Sequence, residues 1–329
     1  MPKHFRLLLL CICFLATALA GGAQTAEVDI GGIVLSVSDS WTAQVFHIVD
    51  QLSEWDDACH RQYGRWAAKA LTLDGEDREL LRKHGVLRRA RGWNKGFEES
   101  FYVDDPIEVA ADKAVEKGLL SRDEAAAEKL ILLHFAPKLS VLRDAPQIAR
   151  FKDRLTAEAK RLAPTVQKLV RFSEIEDTVK LPLFLIINPE EGNAGGGFNG
   201  GRLVLEIQDR PDPVPTLFHE CFHALLWRHK ETIEAAAQSA GIRFGALNEG
   251  IAYAFGPGLT DNILESDTIA QSLARALRNR EKAWPDAYVQ AWAVALVIRP
   301  VLRAALDRDE TLTSFLPKAL AEWRTAVGP

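Results

Sequence analysis

The sequence predicts an α+β protein, mainly helical, with a small antiparallel sheet just ahead of one histidine-bearing helix. Three observations carry this. Helix-period apolar spacing and runs of Ala, Leu, Glu, Lys and Arg fill the first half, strand-like runs occur only between residues 181 and 208, and the helix period returns from residue 217. At 329 residues, with 47% hydrophobic and 26% charged residues, the chain can bury a full core and has the composition of a folded protein. The expected organisation is a signal peptide over 1–20, a helical N-terminal region over 21–175 and a domain of strands followed by helices over 176–329.

Residues 1–20 carry Lys3 and Arg6, an apolar run from Leu7 to Ala20 and the small-residue pattern Ala18-Leu19-Ala20, the pattern of a secretory signal peptide. The run is shorter than the roughly 20 residues that span a bilayer, so an uncleaved anchor is the lesser alternative. Cys11 and Cys13 come too early for a lipoprotein. Cleavage implies export, periplasmic or extracellular, with no stable membrane insertion afterwards. It removes two bases and no acid, moving the formal net charge from −5 to −7. An acidic exported protein is a poor partner for nucleic acid.

Apolar residues at Val45, Val49, Leu52, Cys59, Tyr63 and Trp66 give a helix period over 41–66. The stretches 107–117, 121–135 and 145–171 are helical by composition, with Gly118 and Pro137 as punctuation. The locally basic LRKHGVLRRARGWNKG (81–96) reads as a solvated helix face and turn. Cys59 and Cys221, the two cysteines left after cleavage, read as small buried apolar residues, with a single disulfide as the alternative.

The apolar run LPLFLIINP (181–189), ending in Asn-Pro, predicts a buried strand. In RLVLEIQ (202–208), Leu203, Leu205 and Ile207 alternate with Val204, Glu206 and Gln208, which fits a half-buried strand. Their connection contains G-x-G-x-x-G at Gly195, Gly197 and Gly200, the spacing of a dinucleotide loop. Such a loop must open a helix, whose N-terminus meets the pyrophosphate. Here a strand follows, so the glycines read as a mobile loop bordering a cleft. Beyond Pro213 and Pro215, with Thr216 as N-cap, Leu217–Lys230 is unbroken by Gly or Pro. Further helices are expected from about Leu247 to Phe255 and over 264–281, 286–306 and 311–325.

HECFHALLWRH (219–229) lies on that first helix. His219 and His223 are one turn apart, so both imidazoles leave one face and can bind one ion. Glu220, about 100° round the helix, can reach a water on the ion without taking a ligand position. His229 has the spacing of the third histidine of the metzincin pattern HExxHxxGxxH, but Leu226 replaces the glycine that lets the chain leave the helix. Metzincins also need a methionine beneath the metal, and the only methionine is Met1. His229 is therefore a polar residue near a helix C-terminus. Glu231 and Glu234 continue away from the ion. Glu249, separated from His223 by 25 residues, can approach on an antiparallel helix and complete a His₂Glu set with a fourth position open.

HECFH followed by LNEGIA resembles the gluzincin metallopeptidases, in which the third zinc ligand is a glutamate on a later helix. The resemblance covers residues 181–302 and implies a zincin-like catalytic domain with one Zn²⁺ per chain, held by His219, His223 and Glu249. It implies an antiparallel edge strand at RLVLEI, to which an extended peptide or protein substrate adds. AYVQAWAVALVIRPVL (287–302) is similar to a Tyr-containing helix in several gluzincin families, making Tyr288 the first choice and Tyr253 the second for stabilising the oxyanion. In the implied reaction the ion acidifies a water, and Glu220 takes its proton and delivers it to the leaving amine. Two features differ from the thermolysin-like pattern: the interval to Glu249 is longer, and Tyr253 stands where an aspartate is usual. The reading from another class is a zinc-binding but catalytically silent zincin-fold protein acting as a peptide- or protein-binding module. Glu220 separates the two, because a structural ion needs no general base.

Overall fold

The computed structural model describes residues 26–143, 145–190, 195–209, 212–255, 284 and 287–328. The signal segment 1–20 and the helix expected over 264–281 lie outside the described residues. Two strands, β1 (Ala26–Asp29) and β2 (Ile33–Ser38), open the described chain. Seven helices follow: α1 (Trp41–Leu52), α2 (Gln62–Ala70), α3 (Gly75–Arg91), α4 (Phe97–Phe101), α5 (Ile107–Glu116), α6 (Arg122–Phe135) and α7 (Pro146–Phe172). Then come β3 (Val179–Ile187), β4 (Gly196–Asn199), β5 (Arg202–Ile207) and α8 (Val214–Leu226). The last elements are α9 (Lys230–Ser239), α10 (Phe244–Phe255), α11 (Ala287–Asp307) and α12 (Leu312–Val327).

Local chemistry sets many of these boundaries. Ser40 caps α1, and reciprocal capping boxes begin α3 (Asp74 with Asp77), α6 (Ser121 with Glu124) and α12 (Thr311 with Ser314). The helix expected across 41–66 divides in two, because the chain turns through a left-handed residue, Glu54 (φ 46°), before α2 begins. α8 starts before the expected cap: Pro215 sits in its first turn, where a missing N–H costs no helical bond.

The sheet has the order β1-β2-β3-β5-β4 and is mixed, not antiparallel as expected. β2, β3 and β5 run parallel at its centre, with β1 and β4 antiparallel at the edges. Two connections produce this. The helices α1–α7 carry the chain from β2 to a parallel β3, a crossover that no tight turn could make. The glycine-rich segment is itself a strand, β4, and Gly200 and Gly201 (φ 57° and 77°) close a two-residue hairpin that inserts β5 between β4 and β3. The edge strand is therefore Gly196–Asn199; RLVLEI is interior. The boundary expected at 175/176 falls within this sheet, which takes two strands from before it and three from after.

Both faces of the sheet are covered. On one, Leu183, Leu185, Leu203, Leu205 and Ile207 pack with α7, α8 and α10–α12. On the other, Phe184, Ile186 and Val204 pack with α1 and α3–α6. β5 is thus buried on both sides rather than half-buried, and Glu206 is 1% exposed. α11 is the one helix among the described residues long and apolar enough to cross a membrane (mean hydropathy 1.5). Its apolarity serves packing here, with Ala291, Val294, Ala295, Ile298 and Leu302 buried in the core beside α10 and α12.

The basic stretch 81–96 is solvated on one side only. His84 and Arg88 are wholly buried on the inner face of α3. Arg88 donates to Asp50 (2.7 Å) and Glu98 (2.5 Å), with its guanidinium 4.5 Å from the Trp55 ring. Cys59 and Cys221 are both buried free thiols.

Candidate metal centre

The apolar side of α8, with Leu217, Phe218, Cys221, Phe222 and Leu225 buried, fixes the rotation of the helix and leaves His219 and His223 on a shared face. Their Nε2 atoms stand 3.0 Å apart. Opposite them, α10 buries Ala246, Leu247, Ile251 and Ala254 and turns Glu249 toward α8. Glu249 Oε2 lies 3.2 Å from His219 Nε2 and 3.3 Å from His223 Nε2. α10 can present Glu249 there because Gly250 lets α11 come close: a Cβ at Gly250 would stand 2.6 Å from Val294 Cγ1 and 3.0 Å from the Ala291 carbonyl oxygen.

Three donor atoms from two helices thus form a triangle with sides of 3.0–3.3 Å. A tetrahedral zinc ion with bonds of about 2.0–2.1 Å holds its ligand atoms about 3.3 Å apart. Spacing and donor chemistry both suit that ion. The Asn248 side-chain amide lies 2.9 Å from His223 Nδ1. Its Nδ2 faces the ring; with the amide turned over, its oxygen accepts the Nδ1 proton and leaves the Nε2 lone pair for a metal. Burial pushes the Glu249 carboxyl up, but His223 and His219 beside it outweigh this and hold it well below the usual carboxylate range.

Glu220 is 8% exposed and lies against β4, where a Cβ at Gly196 would approach its Cγ to 3.0 Å. The antiparallel ladder alternates, so Gly197 and Asn199 face β5 while Gly196 and Phe198 turn their backbone to the open edge. The Phe198 backbone N–H lies near the Glu220 carboxylate and favours its charged form. Burial raises the Glu220 pKa, against the pull of both imidazoles and this N–H. Tyr253 puts its ring 4.6 Å from that of His219; burial, then the charge of Glu249, raises its pKa and keeps the hydroxyl a donor. Tyr288, at the start of α11, is 54% exposed.

His229 stands apart from the triangle. The helix ends at Leu226, a 3₁₀ turn follows, and His229 Nε2 donates to the Ser173 carbonyl (2.8 Å) at the end of α7. Sequence reasoning missed Asn248 as the partner of His223, although its place beside Glu249 in LNEGIA was the available signal. It also missed Gly196 and Phe198, because the glycine run hides a strand. Comparison with family models, with curated proteins and with solved structures gives no match for the chain.

Proposed function

We propose that the chain is a metal-dependent hydrolase of the HExxH class, and within that class an exported zinc metallopeptidase of gluzincin type. The observation that carries this reading is the convergence of His219, His223 and Glu249 within 3.3 Å, with the buried Glu220 beside them. Zinc held by such a set supplies a Lewis acid that polarises a carbonyl and acidifies water. Glu220 accepts the proton of the attacking water and passes it to the leaving amine; a pKa raised by burial suits both halves of that transfer. Tyr253 donates to the developing oxyanion, with Tyr288 as second candidate. An extended peptide pairs with the open edge of β4; β5 has both of its edges taken and cannot receive one. The signal-like residues 1–20 support export, and the acidic charge disfavours nucleic acid as partner.

The test is Glu220→Gln in the exported protein. It should keep about one zinc per chain and lose turnover of a peptide library by about a hundredfold or more, the scale of a general base. Full turnover in that variant refutes the reading. A wild-type protein that holds zinc and binds peptide without cleaving it is the binding module instead.

A further inference from the structure

The proposed chemistry leaves unused a buried polar cluster on the opposite face of the sheet. Its centre is Glu206, which projects from β5 on the side of Val204 and is 1% exposed. His47 Nε2 lies 3.0 Å from its Oε1. Its Oε2 meets His60 Nδ1 (3.3 Å), the Asn188 side-chain amide (2.9 Å) and the backbone N–H of Gly195 (3.1 Å). Burial would raise the Glu206 pKa, but His47 and His60 outweigh it and hold the carboxyl down at about 2. Burying a carboxylate is costly without such partners, and an apolar residue would fill a strand interior at no such cost. What the carboxylate adds is its grip on Asn188 and Gly195, the residue just past β3 and the residue that enters β4.

We propose that Glu206 is a positioning residue: by holding Gly195 and Asn188 it fixes β4, and through β4 it holds Gly196 and Phe198 against Glu220. Consecutive residues where the chain enters β4 make the link. A Cβ at Gly195 would stand 2.8 Å from Glu206 Cδ on one face, and a Cβ at Gly196 would stand 3.0 Å from Glu220 Cγ on the other. The Glu206 cluster and the base thus grip the same strand from opposite faces, and a shift of β4 reaches Glu220 directly. The catalytic consequence rests on the peptidase reading; the grip itself does not.

Two substitutions in the full chain separate positioning from packing. Glu206→Leu fills the space but holds neither Gly195 nor Asn188. Glu206→Gln can place its oxygen where Oε2 lies and turn its amide to His47 Nε2 as acceptor. Positioning predicts that the Leu variant keeps its zinc, loses about tenfold or more in kcat with a smaller change in KM, and exchanges its amides over 195–199 faster. The Gln variant should recover to within about threefold of wild type. A packing role predicts the reverse order, and wild-type kcat and exchange in the Leu variant overturn the proposal. If that variant does not fold, Gly195→Ala, whose Cβ pushes against Glu206, should show the same kcat loss and faster exchange; wild-type values there also overturn it. A wild-type protein without peptidase activity sinks the proposed function, while the exchange comparison still decides the grip.

Discussion

His84 should make the stability of the fold fall at alkaline pH. Its ring is wholly buried in α3, with Nε2 2.9 Å from Asp50 Oδ1 and Nδ1 2.9 Å from Glu128 Oε1. A neutral imidazole has one N–H, and both partners are carboxylates, so this geometry requires the doubly protonated cation. Burial alone would lower its pKa; Glu128 and Asp50 outweigh burial and raise it to about 9, from an ordinary 6.5. Between those values the native protein holds a proton that the unfolded chain releases. The contribution is therefore complete below about pH 6.5 and is lost as the pH rises through 9. At about 1.36 kcal/mol for each pH unit between the two, this amounts to about 3 kcal/mol, a large part of the roughly 5–15 kcal/mol that holds a domain folded. Urea unfolding from pH 6 to 10 measures it, with His84→Gln as reference because other bases titrate alike in both proteins. The wild type should start more stable and lose about 3 kcal/mol more than the variant over that range. Parallel pH profiles would refute the argument for a buried imidazolium.

Glu249→Ala should abolish stoichiometric zinc binding, read by metal analysis, because two imidazoles from one helix turn leave the ion without its third ligand. His229→Ala should keep its zinc and cost about 1 kcal/mol in thermal or urea unfolding, the loss of one hydrogen bond to the Ser173 carbonyl. Gly250→Ala should cost about 1–3 kcal/mol by overpacking against Val294 and weaken zinc binding as well, since spreading α10 from α11 moves the adjacent Glu249. Unchanged stability in that variant would show that the two helices separate freely.

The parts of the site that sequence reached are those set by spacing along one helix. His219, Glu220 and His223 follow from helical geometry, and Glu249 from a later helix long enough to return. The predominance of helix and the strands at β3 and β5 were equally legible, because they are written in local periodicity. What was not legible depends on partners far away in the chain. Glu206 sits at an outward position of an alternating strand, and only α1 and the segment bearing His60, about 150 residues earlier, make that position interior. His84 and Arg88 look solvated in a basic run until Asp50, Glu98 and Glu128 arrive from three other helices. β4 carried no strand signal, since Gly196, like Gly195 just before the strand, leaves no room for a side chain, against Glu220 and Glu206 respectively.

The helices α1–α6 bear on the site without covering it. They pack on the face of the sheet opposite α8, so they form no lid over the histidines. Their reach to the site runs through the β4–β5 hairpin, which they hold at both ends. At the tip, Asn94 accepts from the Gly200 N–H (2.6 Å), and Arg202 donates to the Tyr102 carbonyl (2.9 Å). At the base, His47 and His60 hold Glu206. A two-stranded hairpin is marginal by itself, and a four-residue edge strand more so. Bracing at tip and base gives β4 a fixed position, while its outer edge pairs with no strand among the described residues, which suits the proposed roles of orienting Glu220 and receiving a peptide. Under the proposed peptidase reading, α1–α6 are the support behind the β4–β5 hairpin, and their buried ion pairs keep that support in place.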